Sequence, residues 1–336
     1  MPSPHREVRA SLSRRRLLTI PAVLGLALLA LVTAPLWLTL LLLLDAVRRR
    51  RMASLRMGLF AGFYLACETA GLLAAFALWL RRHATGEDEA LYRARNFRLQ
   101  RWWAGALFAA ARRIYRLELR VEQEGDPFRG PMLLFLRHAS LGDTLLGSQV
   151  FSIPHGIELR YVLKSELLWD PCLDVVGHRL PNTFVRRDGE DSKREIEAVA
   201  ALARDLGPDE GVLIYPEGTR FTEDKRRRVI ARLEERDDGR LLAHARRLRA
   251  VLPPRHGGPL ALMEAAPDVD VVLCMHHGFE AAGTAGDLWS GRLIGSRIDV
   301  RCVRYPAGTI PEDRAGWLLD RWLEVDTFVM GHQEAS

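Results

Sequence analysis

The sequence is poor in residues that staple or ligate. Four cysteines, Cys67, Cys172, Cys274 and Cys302, stand among 336 residues with no shared ligand spacing and no paired pattern. That excludes a disulfide framework and a structural zinc site, and leaves the four as small buried hydrophobes. Lysine is scarce too: three of the 48 basic residues are lysines, the rest arginines, at a net charge of +6. Such a balance suits anionic partners, either phospholipid head groups or nucleic acid. The arginines are scattered and no recognition motif gathers them, which excludes a nucleic-acid binder. No Gly-x-Ser-x-Gly elbow occurs, which excludes the common serine hydrolases. Repeats and low-complexity tracts are also missing, and a hydrophobic content of 48% is enough for a packed core.

What is present begins with a long apolar run. Residues 17–44 pass 28 positions without a charge, whereas a bilayer core needs only about 20 helical residues. The run lacks the short apolar region and cleavage site of a signal peptide, and "DAVRRRR" follows it, so it is expected to be retained. A second stretch, 57–80, is also long enough to span; Glu68 inside it is expected to pack against the first helix rather than face lipid. Arg14 to Arg16, Arg48 to Arg51, and Arg81 with Arg82 put positive charge at every boundary. Charge alone therefore leaves two arrangements, a pair of full spans or a shallow hairpin kinked at Pro35 with all three clusters on one face.

The chain divides into a basic tail (1–16), a two-helix membrane anchor (17–82), a linker with an amphipathic helix (83–116) and a catalytic-type domain (117–336). In the third part "HATGEDEALYRARN" reads as the linker, and Trp103, Leu107, Ala111 and Ile114 form one helical stripe, facing head groups or a core. Beyond residue 117 short apolar runs, "LELRVE", "PMLLFLR", "LRYVLK", "NTFVRR", "GVLIYP" and "DVDVVLCM", alternate with helical patterns. This predicts an α/β fold with a mostly parallel central sheet flanked by helices, preceded by the two hydrophobic helices. The helix before "GVLIYP" is capped by Asp191 or Ser192 and stops at Gly207. Residues 222–250, with "KRRR" and "ARRLR", read as a solvated charged face, with anionic lipid as the other partner for some of it.

Three predicted strand ends carry polar groups that a core does not need, and ligands of open α/β sheets bind beyond such ends. "PMLLFLR" delivers His138, and Asp143 follows at the start of a helix. Histidine accepts a proton near neutral pH, and a carboxylate on its other nitrogen fixes tautomer and orientation, so the pair can activate a hydroxyl. "YPEGTR" supplies Glu217, Gly218 for a tight turn, Thr219 as a helix cap and Arg220 as a planar fork for phosphate or carboxylate. "NTFVRR" brings Arg186 and Arg187, of which strand alternation lets only one reach the site, and Lys164 closes "LRYVLK". His276 and His277 are adjacent, point to opposite strand faces and stay unassigned.

With those residues in view, a family resemblance emerges. "RHASLGD" resembles the His, any four, Asp motif of the glycerolipid acyltransferases, and "YPEGTR" resembles their Glu-Gly-Thr-Arg motif about 75 residues later. "NTFVRR" and "YVLKSELLWDP" look like two further blocks of the family, the first giving its arginine role to Arg187. "VLPPRHGGPLALMEAAPDVDVVLCM" and "YPAGTIPEDRAGWLLDRWLEVDTFV" look like the lysophosphatidic acid and lysocardiolipin acyltransferase branch. The chain departs from the pattern in lacking Pro in "DVVLCMHH" and in having Arg186 before the second-motif arginine.

The resemblance implies His138 as base and Asp143 as its partner, with Arg187, Glu217, Gly218, Thr219, Arg220 and Lys164 binding a phosphate-bearing acceptor. It implies acyl-CoA or acyl carrier protein thioester as co-substrate, no cofactor, no metal, and a lysophospholipid such as 1-acyl-glycerol-3-phosphate as acceptor. It also implies a bacterial inner-membrane protein whose catalytic face is cytoplasmic, in contact with anionic lipids. Another acceptor, lysocardiolipin or an amino-lipid, and an inactive membrane scaffold are the rival readings; oligomeric state is left open.

Overall fold

The computed structural model describes residues 4–49, 51–140, 142–186, 192–235, 239–283 and 285–334. Its centre is a seven-stranded sheet: β1 (Glu118–Glu124), β2 (Met132–Leu136), β3 (Glu158–Lys164), β4 (Thr183–Val185), β5 (Glu210–Ile214), β6 (Asp270–His277) and β7 (Arg297–Tyr305). They are ordered β1-β7-β6-β2-β5-β3-β4. Every neighbouring pair is parallel except β6 with β7, which is antiparallel. The sheet is thus mostly parallel, and β2 to β6 all end at one edge.

Strand β2 shows why this sheet is central: all five of its residues are buried, as continuous apolar strands covered on both faces must be. Leu133 and Phe135 pack into one layer with Val212, Leu273, Leu318 and Trp322. Leu134 and Leu136 face the other, with Phe108, Phe151, Val272 and Phe279. Each such apolar side chain contributes about 1.5–3 kcal/mol relative to exposure.

Upstream lie four helices, α1 (Pro4–Val32), α2 (Ala34–Arg48), α3 (Ala53–Thr85) and α4 (Glu89–Tyr115). The 28-residue apolar run is broken at Thr33, just before Pro35, whose ring has no N–H to continue the ladder. Asp45 then caps α3, its carboxylate accepting from the main-chain N–H of Ser54 at 3.0 Å and of Leu55 at 2.8 Å. Segments Leu12–Val32 and Ala53–Thr85 are long and apolar enough to cross a membrane, and Leu28, Leu31, Leu36, Leu43, Leu73 and Phe76 are exposed on them and on α2.

Two expectations change. The polar stretch 83–96 is almost entirely helix, because Gly86 ends α3 in a left-handed conformation and Asp88 immediately caps α4, accepting from Leu91 N at 2.8 Å. Glu68 does not pack on the first helix: it is fully buried against the domain, accepting from Trp103 Nε1 at 2.9 Å and Cys172 N at 3.2 Å. The stripe of α4 is accordingly turned inward, with Leu107 and Phe108 buried and only Trp102 strongly exposed among its large hydrophobics after Leu91.

Candidate active site

The loop after β2 wraps around one carboxylate. Asp143 is fully buried; its Oδ2 accepts the main-chain N–H of Ala139 at 2.5 Å and of Ser140 at 2.7 Å, and its Oδ1 stands 2.9 Å from His138 Nδ1. With the carboxylate as acceptor, His138 carries its proton on Nδ1 and keeps a lone pair on Nε2, the arrangement a general base requires. The loop closes this tightly because Gly142, at the start of the 3-10 turn Gly142–Leu145, lies where a Cβ would be 2.7 Å from the Phe279 ring. The Tyr215 ring stands beside the imidazole, centroids 4.6 Å apart, and burial pushes its phenol well above the usual range.

His138 opens into a cavity of about 780 Å³. Its polar part comes from the strand ends: Lys164 at the end of β3, Arg186 after β4, and Gly218, Arg220 and Arg255 beyond β5. Its apolar part comes from Phe60 and Tyr64 of α3, Leu99, Trp103 and Leu107 of α4, and Leu173 and Val176 of the helix Pro171–Gly177. A base, several cations and a long apolar space in one cavity can hold an amphiphile by both ends.

The expected residues are distributed as follows. Arg220 is half-buried and lines the cavity, one Nη donating to Gly283 O at 2.7 Å. Gly218 has φ +68, a left-handed turn that brings the Arg255 side chain against it. Thr219 caps no helix; its hydroxyl accepts from Lys225 Nζ at 3.0 Å, and the cap of the following helix, Glu223–Glu235, is Thr222, which accepts from Lys225 N. Arg186 lines the cavity, whereas Arg187 lies outside the described residues, as does Asp191.

Glu217 faces away from the cavity. Buried to 2% exposure, it accepts from His138 N at 3.0 Å through Oε1 and from Leu252 N at 2.9 Å through Oε2. Both oxygens serve the main chain, so its work is to tie the end of β2 to the segment after "ARRLR", not to hold a substrate. Burial pushes its pKa up to about 7 against the opposing pull of the Arg137 guanidinium and those two N–H donors. Sequence reading also passed over Arg255, although it sits in the quoted "VLPPRHGG", and Tyr215, whose proximity to His138 exists only in the folded sheet.

Such a site, at the carboxyl edge of a mostly parallel sheet, has the parts of an acyl-transfer enzyme. Residues 116–274, a little under half of the chain, match the Acyltransferase family model. No curated protein matches the chain. Among solved structures it is similar to the crystal structure of the 1-acyl-sn-glycerophosphate acyltransferase PlsC from Thermotoga maritima, at 13% identity and TM-score 0.47, over 78% of this chain and 97% of that one.

Proposed function

We propose that this protein is a membrane-bound O-acyltransferase that moves a fatty acyl group from an acyl-CoA or acyl carrier protein thioester to the free hydroxyl of a lysophospholipid, foremost 1-acyl-glycerol-3-phosphate. The observation that carries the reading is the His138–Asp143 pair opening into a cavity shared by cationic strand ends and an apolar wall. His138 Nε2 takes the hydroxyl proton while the acceptor oxygen attacks the thioester carbonyl carbon. The C–S bond then breaks, and the imidazolium returns its proton to the departing thiolate. A positioned base of this kind contributes about 10²- to 10⁴-fold in rate. Asp143 holds the ring and stabilises the imidazolium, while Lys164, Arg186, Arg220 and Arg255 face the acceptor phosphate.

The anchor fits a lipid acceptor that never leaves the bilayer. Of the two arrangements that charge left open, the single-face hairpin is better supported, because two of the basic clusters touch the domain and the third touches α4, which packs beside it. Arg15 and Arg16 pair with Asp174 at 2.8 and 2.9 Å. Arg48 lies over the Trp289 ring at 5.9 Å. Arg82 pairs with Glu89, the first residue of α4, at 2.6 Å. The exposed leucines of α1 and α2 would then enter one leaflet of a bacterial inner membrane, with the domain on the cytoplasmic side where thioester donors are made. Protease protection of a C-terminal tag in vesicles checks that side.

The test of the activity is direct. Purified protein is incubated with labelled acyl-CoA and a panel of lysophospholipids, and products are identified by mass. Phosphatidic acid from 1-acyl-glycerol-3-phosphate is the expected product, lost in H138A; no transfer to any lysolipid, or an active H138A, overturns the reading.

A further inference from the structure

Directly behind the His138–Asp143 pair lies a histidine that the acyl-transfer scheme does not use. His276, near the end of β6, is fully buried, with its Nε2 3.0 Å from the carbonyl oxygen of Arg137 and 3.6 Å from Asp143 Oδ2. The first distance is a hydrogen bond and the second an electrostatic contact. Arg137, itself 1% exposed, answers with its own side chain: Nη1 donates to His276 O at 2.7 Å and to Glu280, and Nη2 donates to Ala250 O at 3.1 Å. Each residue's side chain thus bonds the other's carbonyl, across the β2–β6 junction, at the position immediately before His138.

A residue that merely filled this space would be apolar, since burying an unpaired polar atom is costly. His276 Nδ1 is such an atom: it has no hydrogen-bond partner, and the Phe279 ring packs edge-on at 5.7 Å. One buried nitrogen goes unpaired, then, while the other is aimed at the loop that holds the base.

We propose that His276 is a positioning residue for the His138–Asp143 pair: a neutral imidazole whose Nε2–H fixes the Arg137 carbonyl and presents its positive end to the Asp143 carboxylate. The inference rests on His138 being the base, as proposed above. Burial lowers the His276 pKa to about 4, which keeps the ring uncharged at working pH. The charged groups facing it are Asp143 from the loop after β2, Arg137 from the end of β2 and Glu280 from the turn after β6. Around His138 itself stand Asp143, Tyr215 and, through the main chain, Glu217. The N–H dipole stabilises the carboxylate and opposes a second positive charge on His138. Its removal leaves the Asp143 charge free to favour a proton arriving on His138, and loosens the placement of the base.

The experiment compares H276F, which keeps a ring without a donor, with H276Q, which keeps a donor, in full-length protein with palmitoyl-CoA and 1-oleoyl-glycerol-3-phosphate. H276F is expected to lose about 10- to 100-fold in kcat, the size of loss seen when the outer hydrogen-bond partners of metal-bound histidines are removed. KM for both substrates stays unchanged and the acid limb of the rate profile moves upward. H276Q recovers most of the loss. H276F with wild-type kcat and pH profile overturns the proposal, as does H276Q as slow as H276F with an unshifted acid limb, the signature of lost packing alone. If H276F does not fold, nitrogen-15 NMR of the wild-type histidines decides. His276 is expected to remain an Nε2–H neutral ring from about pH 5 to 8, the range in which ordinary histidines titrate; a His276 that titrates there, or carries its proton on Nδ1, refutes the role. An active H138A instead refutes the parent reading, whatever the His276 variants do.

Discussion

The main-chain N–H of His138 donates to Glu217 Oε1 at 3.0 Å, so the two principal motifs of this chain are joined through the backbone of one and the carboxylate of the other. Glu217 is therefore predicted to set the height of the base and not to read the acceptor. In E217Q one of the two donors, His138 N or Leu252 N, meets an amide NH₂ instead of an oxygen. A buried donor left unsatisfied costs about 1–3 kcal/mol. Thermal melts of the detergent-solubilised protein should show that loss, and kcat should fall while the acceptor KM holds. A large rise in acceptor KM with an unchanged melt would return Glu217 to the binding site.

The same carboxyl gives the fold a pH dependence of known sign. Its folded pKa, about 7, lies above the ordinary 4.5. The native state therefore holds this proton more tightly than the unfolded chain, and the contribution is complete below pH 4.5 and lost as pH rises through 7. Melting temperature plotted against pH should carry a downward component across that window in the wild type. In E217Q the component should vanish.

Arg220 and Arg255 flank Gly218 and face the cavity where an acceptor phosphate would lie. Charge-assisted hydrogen bonds are worth about 1.5–3 kcal/mol, so R220A or R255A should lower acceptor kcat/KM about 10- to 100-fold and leave the acyl-donor KM nearly unchanged. R220K should recover little, because an ammonium cannot reproduce the planar fork. Equal losses against a neutral acceptor such as a monoacylglycerol would contradict a phosphate role.

The strands of the site were legible because buried parallel strands are nearly all apolar: the runs read as β2, β3, β5 and β6 are such strands, while the exposed β1 and the short β4 were read from briefer apolar patterns. β7 was passed over, although Ile298, Val300 and Cys302 alternate with Arg297, Asp299 and Arg301, because so much charge on the outer face resembles a loop. His138, Asp143 and Arg220 could be found from strand ends alone, since chain direction decides where those lie. Which side of a turn Glu217 faces, that Arg255 packs against Gly218 and that His276 approaches the dyad depend on packing between segments more than 30 residues apart, which no local pattern records. Glu68 illustrates the same limit: its helix was evident, its partners Trp103 and Cys172 were not.

Gly142 is the tightest point of the site, since a Cβ there would lie 2.7 Å from the Phe279 ring, which in turn packs on His276. Overpacking of this kind costs about 1–3 kcal/mol. G142A should therefore lower the melting temperature and, by displacing the loop that carries Asp143, lower kcat more than either KM.

Asp174 ties α1 to the domain. It accepts from Arg15 and Arg16, and His178 Nδ1 stands 3.0 Å from it. These groups outweigh the cost of burial and hold its carboxyl far below the usual carboxylate range. A depressed folded pKa stabilises the fold above the ordinary pKa, and that contribution is lost only in strong acid, so the latch should stay closed throughout the working range. D174N removes the charge but keeps the shape, leaving two arginines close together without a counter-ion. Limited proteolysis after Arg14 to Arg16 should then speed up in D174N, while acyl transfer to a short-chain, detergent-dispersed acceptor persists. Equal cleavage rates in the two proteins would mean that apolar packing of α1 on α3, not the ion pairs, holds α1 in place.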